Sequence, residues 1–188
     1  MTTATDIVNQ AIYLIGNDQP SVTGVFPTFD SSNAGKAASI LYALTVRAVA
    51  RQFGWDFGRN VVALTPSGNV PPFGFSQEYV YPGNGVEIWQ LLPQVITDQN
   101  NPILVDWVVG NTLVSSVQTK VIWTNQANAL AAYHNNPTEN TWDPLFQQAV
   151  VRLLASAMAM ALKGKPDVAA GMLESGSAFE SLGESRPD

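Results

Sequence analysis

The chain has 188 residues, 46% of them hydrophobic, which allows a sizeable core and excludes an intrinsically disordered chain. Only 13% of the residues are charged, against about 25% in an average soluble domain, so part of the exterior is expected to contact other copies or partners. The net charge of −6 argues against a nucleic-acid-binding groove, and the absence of cysteine excludes thiol nucleophiles, Cys-ligated zinc and disulfides.

Two helices are predicted in the first third of the chain. Apolar spacing indicates one over residues 6–16, with Thr5 or Asp6 as N-cap, and a longer one over about 32–53. A helical wheel of the second places one set of small and apolar residues on a common side: Ala34, Ala38, Leu41, Thr45, Ala48 and Val49. The other side carries Lys36, Arg47 and Arg51, which could hold nucleic acid, bind a carboxylate-rich surface of a partner or second copy, or simply be solvated.

The middle of the chain has the pattern of short strands separated by Pro, Gly and Asn. The predicted strands are residues 61–64, 78–81, 86–92, 103–109, 112–115 and 120–123. Gly110-Asn111 suits a two-residue hairpin turn. The strand before it is apolar on both faces, so we expect it to be covered on both sides, and Trp107 is a candidate interface residue.

Two more helices are predicted in the last third. Asp143-Pro144 is a strong helix start, and the segment that follows to about Lys163 has one polar stripe, which favours a central, buried helix over a membrane span. A weaker, Gly-interrupted helix is predicted over residues 167–182. The predicted fold class is α+β, mainly a helical bundle of about four helices (residues 1–60 and 136–188) with a β-rich insertion (61–135) between helices two and three.

No constellation of residues indicates catalysis, a cofactor or a metal. His134 is the single histidine and is expected in an exposed loop, and no Ser nucleophile motif accompanies it. Pairs among five acids could formally cleave a glycoside, although the simpler interpretation is solvated positions: Glu78, Glu87, Asp98, Asp106 and Glu139. Glu78 and Glu87 bracket a turn and could lie on adjacent strands. We therefore predict no enzyme activity, with no catalytic, cofactor-binding or metal-binding residue.

Several segments together resemble the head-to-tail adaptor proteins of short-tailed bacteriophages, also called tail tubular protein A or gatekeeper. The segments are Ile12–Gly16, Arg51–Arg59 leading into Val61–Leu64, Tyr79–Pro82, Val109–Thr112, and Tyr133 with Asp143–Phe146. The chain departs from the family pattern at Ala129–Tyr133, which lacks the usual strand-like composition, and after Pro82, where an Arg is missing.

The resemblance implies a structural virion protein of the tail and neck, made in the host cytoplasm. Such a protein would form a homo-oligomeric ring of twelve below the portal protein, extend the DNA channel and receive the tail nozzle protein. DNA would pass through during ejection without sequence-specific binding, and no membrane or cofactor would be involved. The alternatives are a head-completion or neck protein of a long-tailed phage and a tail-associated cell-wall hydrolase, which would need two acids that converge in the fold.

Overall fold

The computed structural model describes residues 2–16, 21–52, 55–72, 74–94, 105–135, 138–163, 167 and 169–175. The helices are α1 (Ala4–Leu14), α2 (Asn33–Gln52) and α3 (Pro144–Lys163), and residues 167 and 169–175 are also helical. The strands are β1 (Gly24–Val25), β2 (Thr28–Phe29), β3 (Arg59–Ala63), β4 (Gln77–Val80), β5 (Gly85–Leu92), β6 (Trp107–Val114), β7 (Val117–Thr124) and β8 (Leu130–Asn135). Short 3-10 helices occur at Asp56–Gly58 and Glu139–Thr141.

The prediction of a mainly helical bundle is wrong. The described residues form eight strands in three antiparallel sheets, and about 29% of the structure is strand. The strand orders are β1-β2, β3-β8-β5 and β4-β7-β6. The reason is that the middle third of the chain forms two three-stranded sheets with an apolar core of their own. These strands are therefore a separate unit and not an insertion that packs on a helical core.

The chain divides into two compact units. The helical unit comprises Met1–Phe57 and Asn136–Asp188, and the sheet unit comprises Gly58–Asn135. A cluster of nine buried residues forms a core in the sheet unit: Leu64, Tyr79, Tyr81, Ile88, Leu91, Ile122, Ala129, Ala131 and Tyr133.

In the helical unit, α3 is the central helix. It packs against both α1 and α2, which scarcely touch one another. Phe146, Leu154 and Met158 are fully buried along it. By length and composition α3 could cross a membrane, but half of its apolar window is buried inside the unit, as expected of a core helix.

Helix starts follow local capping. Asp143 Oδ1 accepts a hydrogen bond from Leu145 N–H at 2.8 Å with Pro144 as the first helical residue, which confirms the predicted start of α3. At α1 the predicted caps are wrong: the N-cap is Thr3, and Asp6 sits three residues further on and closes a capping box with it.

Strand β8 was not predicted, because its sequence is rich in alanine, a weak strand former. It is nevertheless the central strand of its sheet, paired with β3 and β5, and Ala131 and Ala132 are fully buried there. His134 lies on β8 and is only 8% exposed, so its predicted place in a solvent-exposed loop is also wrong.

The predicted hairpin at Gly110-Asn111 is wrong too. β6 runs unbroken through both residues, and the turn to β7 is Ser115-Ser116, whose φ angles of 51° and 67° are typical of a two-residue hairpin turn. Gly110 has a different role: a Cβ atom there would collide with the indole ring of Trp123. The glycine thus makes room for a cross-strand aromatic ring.

Candidate functional site: the outer face of helix α2

The start of α2 is held by a network around Asp30. Ser32 Oγ accepts from Gly35 N–H at 2.9 Å, and Asp30 Oδ1 accepts from Ser32 N–H at 3.0 Å. Asp30 Oδ2 accepts from Thr23 N–H at 2.6 Å, which ties the preceding hairpin to the helix start. Hydrogen bonds to the Asp30 carboxylate lower its pKa to about 2, first from the Ser32 side chain and then from the backbone N–H groups of Thr23 and Ser32.

The inner face of α2 is anchored by Tyr42. Its ring is buried against Phe26 and Phe29, and its hydroxyl donates to Glu139 Oε1 at 2.8 Å. Burial, together with this carboxylate, raises the pKa of Tyr42. Ala38, Val46 and Val49 are buried on the same side of the helix. With its inner face held in this way, α2 presents a defined outer face.

Five residues form one line along the outer face of α2. Lys36, Ile40, Leu44, Arg47 and Arg51 lie within about 80° of one another on a helical wheel, and all five are exposed. We call this line the α2 stripe. Ile40 and Leu44 are 67% and 63% exposed, which is unusual for two aliphatic side chains that are neighbours at i and i+4. Among the described residues, no hydrogen bond or ion pair engages the side chains of the three stripe cations.

The three cations of the stripe were predicted from the sequence, whereas Ile40 and Leu44 were not. The signal was present: both are spaced four residues from the preceding stripe position, starting at Lys36. The wheel also placed Ala48 on the inner side, and it is exposed. The error arose because alanines were counted as apolar positions, which shifted the assigned core face of the helix.

Trp107, the fourth candidate interface residue, is partly buried in the sheet unit. It packs against the core of that unit, and on β6 beside it Val108 and Val109 are 47% and 39% exposed. The expected coverage of this strand on both sides is therefore absent from the described part of the chain. Trp107 serves mainly as a core side chain here.

The acid pair proposed for a hydrolase does not meet in a common strand pair. Glu78 lies on β4 and Glu87 on β5, and these strands belong to different sheets, so the expectation of adjacent strands is wrong. Glu139 is hydrogen-bonded to Tyr42 in the helical unit. Asp98 lies outside the described residues.

The carboxylate of Glu78 is instead fully engaged in the sheet unit. Oε2 accepts from Trp123 Nε1 at 2.6 Å, and Oε1 accepts from Ser67 Oγ at 2.7 Å and Asn69 Nδ2 at 3.0 Å. Glu78 is only 5% exposed. Burial alone would raise the pKa of this carboxyl, but the three hydrogen bonds outweigh it and the pKa is lowered. A carboxylate with a lowered pKa and all partners satisfied is suited to holding structure and poorly suited to donating a proton.

Other features of the described residues give no catalytic or metal centre. No group of three or more His, Cys, Asp and Glu side chains is placed to hold a metal ion in the part of the chain that the structure describes. A shallow groove of about 700 Å³ lies between α1 and α3, with Asp6, Tyr13, Gln148 and Arg152 among its lining residues. It is open, of mixed charge, and points to no particular ligand.

Comparison with protein-family models and with curated proteins finds no match.

Proposed function

We propose that this chain is a structural virion protein, a head-to-tail adaptor that assembles as a ring below a portal protein and receives the tail nozzle. The proposal combines the sequence resemblance with one structural observation, the α2 stripe. Two exposed aliphatic side chains flanked by three cations are typical of a surface that is covered when a protein partner binds. The acidic balance of the whole chain gives a second copy the opposite charge to offer.

The hydrolase alternative has no support from the acids that would carry it. Within the described residues, Glu78 is engaged by three donors and Glu87 lies in another sheet. A pair of carboxyl groups facing one substrate is the minimum that glycoside cleavage requires.

The test is assembly on a portal. Purified protein is mixed with the portal protein encoded by the same genome, and the complexes are examined by mass photometry and negative-stain electron microscopy. We expect a closed ring of adaptor copies stacked on the portal, and twelve copies per ring by mass. Absence of binding at micromolar protein in low salt would overturn the proposal.

A matched pair of variants connects the test to the stripe. Arg47→Glu with Arg51→Glu reverses two stripe charges, whereas Arg59→Glu with Lys120→Glu reverses two exposed charges of the sheet unit. Both double variants change the net charge by the same amount. We expect ring formation on the portal to be lost only in the stripe variant, because general charge repulsion is equal in the two.

A further inference from the structure

Helix α2 and the stretch from residue 167 onward carry net charges of opposite sign. Helix α2 contains three cations and no Asp or Glu. From residue 167 to the C-terminus the only cation is Arg186, and this stretch has five carboxylate residues: Asp167, Glu174, Glu180, Glu184 and Asp188. Most of the net negative charge of the chain therefore resides in its last 22 residues. This separation raises the question of whether the two regions meet.

The described part of the acidic region is residue 167 together with residues 169–175, all helical. We call these residues the acidic segment. It is attached to α3 by two hydrogen bonds, from Ser156 Oγ to Ala169 O at 2.8 Å and from Arg152 to Ser175 Oγ at 3.3 Å. Four exposed residues lie within about 100° of one another on its wheel: Asp167, Ala170, Gly171 and Glu174. A Cβ atom on Gly171 would meet nothing within 4 Å. The segment thus presents small residues between two acids, with open space above them.

This face is the chemical complement of the α2 stripe. The stripe has large aliphatic side chains between cations, and the segment has small side chains between carboxylates. Ile40 and Leu44 can approach a helix closely where Ala170 and Gly171 leave room, and the charges then lie at the edges of the contact. Since Ile40 and Leu44 stay exposed, the two faces do not cover one another within a single subunit.

We propose that the α2 stripe of one subunit binds the acidic segment of a second copy, at the face formed by Asp167, Ala170, Gly171 and Glu174. The inference rests on the proposed function and names the subunit contact of that ring. Because two different faces of each subunit are used, the contact is heterologous, and heterologous contacts close into rings when the rotation between copies permits. A symmetric contact of stripe with stripe would set three cations against three cations, which like-charge repulsion disfavours.

A nucleic acid is a poorer occupant of the stripe. Ile40 and Leu44 would lie against phosphates that they cannot contact favourably, and the aromatic side chain of α2, Tyr42, is buried on the inner face instead of being available for base stacking. An acidic helix with small residues can contact both the three cations and the two aliphatic side chains of the stripe. A phosphate backbone can interact favourably with the three cations only.

Site-specific cross-linking tests the contact directly, because the chain has no cysteine of its own. Leu44→Cys and Ala170→Cys are made as separate proteins, one of them isotope-labelled, and are mixed and mildly oxidised both free at high concentration and assembled on the portal. Val70→Cys is the control, since Val70 is 92% exposed in the sheet unit. Disulfide-linked peptides are quantified by mass spectrometry after digestion.

We expect the 44–170 disulfide between copies to exceed the 44–44 and 44–70 products at least fivefold. Equal yields of the three products would overturn the inference. Rings on the portal without the 44–170 link would overturn this contact and leave the proposed function standing. A strong 44–170 link between copies that never bind a portal would instead contradict the proposed function.

Charge exchange gives an independent readout. Arg47→Glu with Arg51→Glu, or Asp167→Lys with Glu174→Lys, is expected to weaken association between copies at least tenfold, as measured by sedimentation velocity or by ring occupancy on the portal. The chain with all four substitutions should recover most of the loss, because the reversed stripe then meets a reversed segment. Failure of the quadruple variant to recover, when circular dichroism shows it folded, would contradict the pairing.

Discussion

The surface of the sheet unit and the outer face of α2 differ in how their polar groups are satisfied. On the sheet β4-β7-β6, the carboxylate of Glu78 is surrounded by donors from Ser67, Asn69 and Trp123, which all belong to the same unit. All of the hydrogen bonds that this carboxylate accepts therefore come from its own subunit. Its chemistry therefore serves folding, and a partner has nothing to add to it.

The α2 stripe is the opposite case. Its cations have no polar partner among the described residues, and its two aliphatic side chains remain in water. The comparison teaches that a charged residue singled out in a sequence becomes a candidate for function only when the fold leaves its interactions incomplete. Glu78, which the sequence left as a formal candidate for glycoside cleavage and more simply as a solvated position, is a structural residue with all its hydrogen bonds made. The three stripe cations, already candidate interface residues in the sequence, keep their side chains exposed in the fold.

The largest effect on folding is expected from Glu78→Leu. Loss of the buried carboxylate leaves the partly buried Trp123 and Ser67 donors without their acceptor, while the exposed Asn69 can donate to water. We expect the free energy of unfolding to fall by about 3 kcal/mol. Glu78→Gln, which keeps one acceptor oxygen, should cost about half as much. Urea unfolding followed by Trp fluorescence measures both, and a Glu78→Leu protein as stable as the wild type would show that the cluster is not structural.

Two glycines in helices are expected to respond in opposite directions to alanine. At Gly35 an added Cβ collides with the backbone of Asp30, so Gly35→Ala should destabilise the protein by about 2 kcal/mol. At Gly171 the space is open, and Gly171→Ala should stabilise the helical segment by up to about 1 kcal/mol. Thermal unfolding of the two variants decides this, and a shift of the same sign for both would contradict the described packing.

The pH dependence of stability should reflect the same cluster. The pKa of Glu78 is lowered in the folded protein, so its contribution is fully present above the ordinary carboxyl pKa and is lost as pH falls through the lower folded value. We expect stability to decrease below about pH 4.5, with a shallower decrease in Glu78→Gln. Asp6 and Asp30, whose pKa values are also lowered, contribute to the slope in the same direction. Identical slopes for wild type and variant between pH 5 and pH 2 would exclude Glu78 as a source.

Substitutions of the stripe arginines are expected to have the smallest effect on folding and the largest effect on assembly. Arg47→Glu with Arg51→Glu removes exposed charges without partners in the described subunit, so the thermal midpoint should stay within error of the wild type. Association should nevertheless weaken at least tenfold, and added salt should weaken the wild type in the same direction. If this variant assembles normally at low salt, the subunit contact has to be sought in the strands around Trp107.

Local sequence chemistry predicted part of the fold well. The start of α3 at Asp143-Pro144 and the long α2 followed from capping residues and spacing, which depend only on neighbours in the chain. β8 and the β6-β7 turn were missed, since they depend on tertiary packing: Ala131 is in a strand because two strands flank it, and Gly110 is a glycine because Trp123 lies over it. The predicted helix over residues 167–182 is observed at 167 and 169–175, and its remainder lies outside the described residues.

The candidate site was predictable in its charges and not in its apolar part. Lys36, Arg47 and Arg51 are recognisable from sequence because a basic face with no acid is unusual in an acidic chain. Whether Ile40 and Leu44 face the core or water depends on which side of α2 packs against α3. The spacing of apolar residues alone did not fix the rotation of the helix about its axis, and the predicted inner face was about one residue out of place.

Hydroxyl-radical footprinting tests the central claim most directly, by measuring the reactivity of Ile40 and Leu44 in the free subunit and in the ring on the portal. We predict that both side chains become several-fold less reactive on assembly, while Val70 in the sheet unit stays as reactive as before. Rings in which Ile40 and Leu44 react as fast as in the free subunit would contradict the assignment of α2 as the subunit contact.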